Sequence, residues 1–418
     1  MDLLAPRFIG KRLALFFDGT WNRPQNNTNV WRLSLMLAET GADGRPQKAF
    51  YDAGVGTHWF DRWTGGMFGA GLSDNIRNGY RWLMQHYDPG DEIYLFGFSR
   101  GAFTARSLSG LIAHCGLLKP DAPMSFADVF ERYRQGPAAT PLYQLLRQRA
   151  QGEEFALNRQ FDERVLLDHS WYHRSLIKMV GVWDTVGSLG VPLGNIPGIS
   201  SRTLSFHDTH LSKVVEHSYQ ALALDEARRP FWAMLWTHFT PFQADAPESD
   251  RDDDNRFVEQ RWFSGAHANV GGSYPRDLLP QRPLRWIQAQ AERCGLSFRS
   301  QIALNDDDLE QRPHDSFREF FGPLRFLPGI RPYTRWVQSD PVRKATGWVE
   351  TVNERVDESV LRRCQEYADY RPPSLVEWAQ RKGYSLEGVI SAPDSVPRLF
   401  EPVAARGIES QLVRASGW

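Results

Sequence analysis

The most constraining feature of this sequence is the segment 92–106, EIYLFGFSRGAFTAR, in which a short apolar run leads into the motif G-x-S-x-G. The apolar run predicts a buried strand, and the residues after the motif have helical spacing. Gly97 and Gly101 flank Ser99 at the two positions where a side chain would collide with the neighbouring strand or helix. Strand, sharp turn and helix together predict a nucleophile elbow, with Ser99 as the nucleophile.

Short apolar runs that end in polar or glycine-containing turns recur along the first 280 residues. They predict strands at residues 11–17, 49–56, 92–96 and 176–182, and the alternating segment VEQRWF predicts another at 258–263. Helical spacing predicts helices at residues 72–87, 102–115 and 211–224, and an insertion with helical patches at about 120–174. Alternation of strands and helices is typical of an α/β fold, here a mostly parallel sheet covered by helices on both faces.

The pattern changes beyond residue 280, where Pro, Arg and Trp are frequent and strands and helices alternate less. We therefore predict an α/β catalytic domain over residues 1–280 and a C-terminal helical and loop appendage over residues 281–418. The sequence assigns no chemistry to this second region.

Composition excludes several classes of function. A formal net charge of -1 gives no electrostatic footprint for nucleic acid. Cys115, Cys294 and Cys364 are far apart and outside any C-x-x-C spacing, which indicates neither a disulfide framework nor a zinc site. The N-terminal segment lacks the features of a signal peptide, and no apolar run is long enough to span a membrane. We expect synthesis as a soluble cytoplasmic protein, with export by a route without a cleavable signal left open.

Two further strand ends carry the partners that a serine nucleophile needs. A base must take the hydroxyl proton and a carboxylate must orient that base, in the chain order Ser, Asp or Glu, His. Asp184 follows the apolar strand at 176–182, and His267 follows the strand at 258–263. The carboxyl ends of parallel strands meet at one edge of a sheet, so we expect both side chains to lie near Ser99.

Alternatives to these two assignments stay open. The alternative bases are His207, His210, His217 and His238, and the alternative acids are Asp208 and Asp225. The glycine-rich loop favours His267, because glycines allow the backbone to bend toward the elbow. For Asp184, the competing interpretation is a carboxylate that closes a turn.

An oxyanion site requires two amide donors. The Arg100 amide is the predicted first donor, and the turn Gly19-Thr20 after the first strand is the predicted source of the second, with Asp18 bracing that turn. A phosphoryl-transfer role for Asp18 is the alternative. A D-x-D motif would need a second aspartate where Phe16 stands, so the sequence favours the oxyanion role.

Asp250, Asp252 and Asp254 resemble the beginning of a calcium-binding loop. The glycine position of such a loop holds Asn255, and its closing glutamate position holds Arg261. The segment is therefore interpreted as a solvated acidic loop. We predict no metal site and no cofactor.

Five motifs together resemble one family. They are FFDGTWN, GFSRGAFTAR, VGVWDTVGSLG, ALDEAR at 223–228 and WFSGAHANVGGSY. The family is the α/β-hydrolase domain family that includes bacterial type VI secretion phospholipase effectors, and the resemblance covers roughly the first 280 residues. It implies an α/β-hydrolase-like fold with Ser99 as nucleophile, Asp184 as acid and His267 as base.

The resemblance also implies a function. Members hydrolyse ester bonds in phospholipids and are delivered into rival bacteria, which implies a phospholipid or other acyl-ester substrate, contact with a membrane surface, and an immunity or secretion-apparatus protein as partner. We therefore expect a serine ester hydrolase of the phospholipase type. The alternatives are a soluble carboxylesterase or thioesterase of the same fold, and a non-catalytic binding module.

Overall fold

The structure is a computed structural model that describes residues 10–19, 24–54, 66–153, 163–186, 214–241, 258–304, 306–345, 347–393 and 399. Some of the predicted features lie outside the described residues. They are Thr20, the loop at 187–199, His207, Asp208, His210 and the acidic loop at 250–255.

Seven parallel strands form the central sheet. In chain order they are β1 (Arg12–Phe17), β2 (Gln47–Asp52), β3 (Glu92–Phe98), β6 (Ile177–Trp183), β7 (Val215–Ala223), β9 (Val258–Phe263) and β12 (Glu354–Val356). Their order across the sheet is β12-β9-β7-β6-β3-β1-β2. The strand that carries the elbow, β3, lies between β1 and β6 in the interior of the sheet.

Helices cover both faces of this sheet. The ones before the elbow and after it are α1 (Asn29–Met36), α2 (Gly66–His86) and α3 (Arg100–Cys115). Leu13, Leu15 and Phe17 of β1 pack with α2 and α3 on one face, whereas Ala14 and Phe16 pack with α1 on the other. The central strands therefore bury both sets of alternate side chains, which explains their continuous apolar runs.

The predicted insertion at 120–174 lies over α3. It contains α4 (Phe126–Arg134), α5 (Leu142–Ala150), α6 (Glu163–His169) and β5 (Ser170–Trp171), which pairs antiparallel with β4 (Leu117–Leu118) just before the insertion. A buried ion pair of 3.0 Å joins Arg132 and Glu163 within it. The insertion thus extends the core on the α3 face of the sheet.

The helix predicted at 211–224 is wrong, because the described part of this segment forms strand β7. Backbone hydrogen bonding to β6 on one side and β9 on the other fixes it as a strand. Its sequence, VEHSYQALA, mixes small, polar and apolar residues. Over only nine residues, such a mixture does not distinguish the two-residue period of a strand from the 3.6-residue period of a helix.

The region after residue 280 contains helices α8 (Gln281–Arg293), α9 (Asp307–Glu310), α10 (Ser316–Phe321), α11 (Glu358–Glu366), α12 (Pro373–Lys382) and α13 (Leu386–Ser391). It also supplies β12, which pairs with β9 and forms an edge of the central sheet. A second sheet joins β8 (Thr237–Pro241) to β10 (Val342–Arg343) and β11 (Gly347–Thr351) in the order β10-β11-β8. This region thus completes the central sheet, whereas the sequence predicts only helices and loops there.

The three cysteines are buried as free thiols in three different parts of the core. Cys115 belongs to the α2–α3 face and Cys294 to the α1–α8 face, while Cys364 packs with Leu361 and Ile390 in the C-terminal region. Among the described helices, none combines the length and apolarity needed to cross a lipid bilayer.

Candidate active site

Ser99 occupies a strained turn between β3 and α3. Its backbone angles are φ 59° and ψ −119°, a region that non-glycine residues adopt rarely. A Cβ at Gly97 would lie 2.3 Å from the Gly101 carbonyl oxygen, and a Cβ at Gly101 would lie 2.0 Å from that of Phe17. Both glycines are therefore sterically required for α3 to pack this closely against β1 and β3.

The structure brings together the three side chains that the sequence singled out. The Ser99 hydroxyl lies 2.8 Å from His267 Nε2, and His267 Nδ1 lies 2.5 Å from Asp184 Oδ2. A carboxylate can only accept, so Nδ1 carries the proton and Nε2 accepts from the serine. This arrangement leaves the imidazole ready to remove the hydroxyl proton.

His267 is the first residue of helix α7 (His267–Gly271), directly after the turn that ends β9. Its backbone N–H donates to Glu226 Oε2 at 3.1 Å, and its ring packs between Phe98 and Phe231. Gly265 has a φ of 118°, and a Cβ there would lie 2.4 Å from the Asn269 side chain. Gly265, two residues before the histidine, therefore permits the tight turn that directs the His267 ring toward Ser99.

Asp184 is fully buried at the end of β6 and receives four hydrogen bonds. Oδ1 accepts from the Ala223 amide at 3.0 Å and from Arg335 Nη1 at 2.6 Å, while Oδ2 accepts from His267 and from Arg335 Nη2 at 3.0 Å. Burial acts to raise the pKa of this carboxyl, but Arg335 and the His267 hydrogen bond outweigh it and lower the pKa to about 2. Asp184 is consequently ionised at neutral pH.

Sequence reasoning missed Arg335, although its contact with Asp184 is at the centre of the site. The two residues are 151 positions apart, and Arg335 lies in a Pro- and Arg-rich segment without periodicity. No local pattern distinguishes it from the other arginines of that segment. Only the fold reveals the contact.

The predicted oxyanion donors are only partly described. Asp18 accepts from the Gly19 amide at 2.8 Å, from the Tyr51 hydroxyl at 2.9 Å and from the Thr28 hydroxyl at 2.5 Å. The Gly19 amide is thus directed to its neighbour's carboxylate, while Thr20 lies outside the described residues. The Arg100 amide is the first of α3, at the helix end that favours negative charge.

The alternative residues that are described lie elsewhere or act differently. His217 lies within β7, 3.3 Å from Glu216, and His238 lies within β8. Asp225 accepts from the Gly265 amide at 2.6 Å and from the Tyr370 hydroxyl at 2.8 Å, so it braces the turn before His267. Burial raises the pKa of this carboxyl, in contrast to Asp184.

Comparison with protein families identifies the group to which this chain belongs. The model of the catalytic domain of T6SS phospholipase effectors of the Tle1-like type matches residues 11–290. The chain belongs to this Tle1-like family. Its seven-stranded sheet and elbow accordingly represent an α/β-hydrolase-like fold, and Arg335 and β12 lie beyond the matched segment.

The individual proteins that resemble this chain share between 14% and 30% of their residues with it. The uncharacterized protein YEL023C of Saccharomyces cerevisiae is 30% identical over 320 residues, which cover 68% of this chain and 43% of the yeast protein. The solved structure of an uncharacterized Pseudomonas aeruginosa protein has 16% identity and a TM-score of 0.39, covering 73% of this chain and 49% of that one. The Tle1 effector bound to the VgrG spike has 14% identity and a TM-score of 0.36, covering 96% of this chain and 82% of that one. This Tle1-like chain thus spans less than half the length of the curated relative that it matches.

Proposed function

We propose that this protein is a serine ester hydrolase in which Ser99, His267 and Asp184 form the catalytic triad, and that its substrates are membrane phospholipids. The observation that carries the proposal is the continuous chain of hydrogen bonds from the Ser99 hydroxyl through His267 to a buried, ionised Asp184. Membership in the Tle1-like phospholipase family supports the choice of substrate.

The reaction proceeds through an acyl-enzyme. His267 Nε2 accepts the hydroxyl proton while Ser99 Oγ attacks the acyl carbonyl carbon, and the Arg100 amide at the start of α3 donates to the resulting oxyanion. The carbonyl re-forms, the ester oxygen leaves as an alcohol with the proton from His267, and Ser99 retains the acyl group. Water, deprotonated by His267, then releases the fatty acid and restores Ser99.

An exposed apolar face beside the site supports a bilayer as the source of substrate. We define this face by Phe320, Leu324, Phe326 and Leu327, whose side chains are 48–77% exposed. Burying a fully exposed Leu or Phe side chain in an apolar medium gains roughly 1.5–3 kcal/mol, and each of these partly exposed side chains gains a share of that. The face therefore favours contact with lipid.

Charge and position agree with that interpretation. Arg318, Arg325 and Arg331 lie in the same segment as the exposed apolar face, together with Asp315 and Glu319, and the small surplus of positive charge complements anionic phosphate groups. The guanidinium of Arg228 lies 5.7 Å from the Phe320 ring and 3.7 Å from the Phe231 ring, which in turn contacts His267. One row of contacts thus connects this face to the catalytic histidine.

The test is fatty-acid release from vesicles of mixed anionic and zwitterionic phospholipids by the native protein and by Ser99→Ala. We expect release by the native protein alone. If neither protein releases fatty acid but the native protein cleaves short acyl esters in solution, the substrate proposal is wrong and a soluble esterase remains. If the native protein cleaves no ester at all, the hydrolase proposal itself is overturned.

We also propose delivery by a type VI secretion apparatus. Family membership supports this proposal, because the family model describes T6SS effectors. Co-purification with the spike protein encoded in the same genome is the expected result. Failure of the two purified proteins to associate would contradict a direct interaction.

A further inference from the structure

We propose that Arg335 is a positioning residue of the catalytic centre: it locks the Asp184 carboxylate in the plane that serves His267 and keeps that carboxylate ionised, so that the imidazole stays aimed at Ser99. This inference rests on the proposed hydrolase function. It extends the functional centre into the C-terminal region, beyond the segment that the family model matches.

The guanidinium of Arg335 binds the carboxylate of Asp184 as a fork, with two nitrogens donating to two oxygens. Nη1 of Arg335 donates to Asp184 Oδ1 at 2.6 Å and Nη2 donates to Oδ2 at 3.0 Å, and both groups are almost completely buried. A paired planar contact fixes the orientation of the carboxylate as well as its position. Because Oδ2 also accepts from His267 Nδ1, any rotation of this carboxylate would move the imidazole away from Ser99.

The same guanidinium is anchored to the surrounding backbone. Nη1 also donates to the Ala223 carbonyl at 2.7 Å and Nη2 donates to the Phe231 carbonyl. Its own segment is fixed on both sides, since the Tyr333 amide donates to the Ala227 carbonyl at 2.8 Å and Val337 is buried. Arg335 therefore joins the ends of β6 and β7 to the C-terminal region.

Electrostatics give the contact a second consequence. Arg335 and Asp184 form a buried ion pair with contacts of 2.6 and 3.0 Å. The guanidinium lowers the pKa of the Asp184 carboxyl against the opposing effect of burial, so the group that accepts from His267 Nδ1 stays charged. The other charged groups near His267 are Glu226 at its amide, Arg228 paired with Glu226 at 2.7 Å, and Asp225 on the Gly265 amide.

The deciding experiment compares Arg335→Lys and Arg335→Gln with the native protein. Lysine keeps the charge and loses the fork, whereas glutamine loses both. The matched control is Arg363→Lys, because Arg363 is equally buried in the C-terminal region but donates to the carbonyls of Asp308, Leu309 and Gln311. Each protein is assayed for kcat and KM on a soluble short-chain ester between pH 5 and pH 9, with circular dichroism as the check of folding.

For Arg335→Lys we expect kcat to fall by roughly tenfold to a hundredfold at unchanged KM, since displacing a catalytic group by about 1 Å costs about a hundredfold. For Arg335→Gln we expect in addition that the acid limb of kcat/KM moves to higher pH, because burial then raises the pKa of the Asp184 carboxyl without the opposing guanidinium. The Arg363→Lys profile should keep the native limb.

A substrate-independent measurement separates this inference from the proposed function. The His267 Nδ1–H resonance, followed by NMR of protein with labelled histidines, reports the hydrogen bond to Asp184; it should weaken or shift in Arg335→Gln and stay in place in Arg363→Lys. A folded Arg335→Gln protein with the native resonance would overturn the inference, whatever its activity. If Arg335→Gln does not fold, native kcat in a folded Arg335→Lys protein overturns it equally.

Discussion

Asp184 combines complete burial with hydrogen bonds to both carboxylate oxygens, and one of its donors is the imidazole that faces Ser99. We expect Asp184→Asn to lower kcat on the order of 10⁴-fold, because an amide no longer holds His267 in the tautomer that accepts at Nε2. Hydrolysis of a soluble short-chain ester measures this, with Ser99→Ala defining the background. A variant within tenfold of native activity would contradict the proposed triad.

The same carboxyl should make stability depend on acid pH. Its pKa is lowered from an ordinary 3.8 to about 2, so its contribution to folding is fully present above about pH 4 and is lost as the pH falls to about 2. The difference in unfolding free energy between native protein and Asp184→Asn should therefore shrink by roughly 2 kcal/mol across that interval. Urea titrations at pH 5, 4, 3 and 2 measure it, and a constant difference would contradict the shift.

Single residues differ in how far the sequence predicts their place. Ser99, Asp184 and His267 each follow the carboxyl end of a strand that the sequence predicts, and a parallel sheet gathers such ends at one edge. Arg335 follows no such rule, because its contact depends on how a segment 151 residues away packs against β7. Local pattern therefore predicts the residues on strand ends, while contacts contributed by distant loops require the fold.

At the scale of elements, the junction of β1, β3 and α3 depends on glycine. Gly101→Ala would place a Cβ 2.0 Å from the Phe17 carbonyl oxygen, and backbone cannot yield as a flexible side chain does. We expect a loss of roughly 1–3 kcal/mol or more in unfolding free energy, with displacement of Ser99 and loss of activity. Urea denaturation and ester hydrolysis measure the two effects.

Gly388→Ala in α13 is the matched control for that substitution. Its added Cβ would lie 3.6 Å from the Ser385 side chain, which is an ordinary contact, and it would favour the helix by roughly 0.5–1 kcal/mol. Equal stability of the two variants would show that the close approach at Gly101 is not limiting.

The sequence predicts some strands correctly and others not. Strands β1, β3 and β6 are mainly apolar runs bounded by turns, β9 is an alternating segment, and the sequence places all four within a few residues. Strand β7 was predicted as a helix, since its register depends on the strands at both of its sides. Strand β12 has three residues, too few for any period to show, and pairing with β9 alone creates it.

At the scale of the whole molecule, the exposed apolar face should determine which substrates are reached. We expect Phe326→Glu to lower the rate on anionic vesicles relative to the rate on a soluble ester by roughly tenfold or more, because the most exposed of these rings is replaced by a charge that lipid phosphates repel. Leu35→Glu, on α1 and 55% exposed in the native protein, is the control. Equal effects of the two substitutions would contradict a lipid-facing role for this face.

The distribution of the three thiols has a practical consequence. Burial raises the pKa of Cys115 to about 11, of Cys294 to about 12 and of Cys364 to about 11, so each should resist alkylating reagents until its own surroundings open. Mass spectrometry of protein that is pulse-alkylated at increasing urea concentrations would then report separately when each of these three parts of the core becomes accessible. Simultaneous labelling of the three thiols would indicate that the chain unfolds as one cooperative unit, whereas labelling of Cys364 at lower urea concentration would show that the C-terminal region unfolds first.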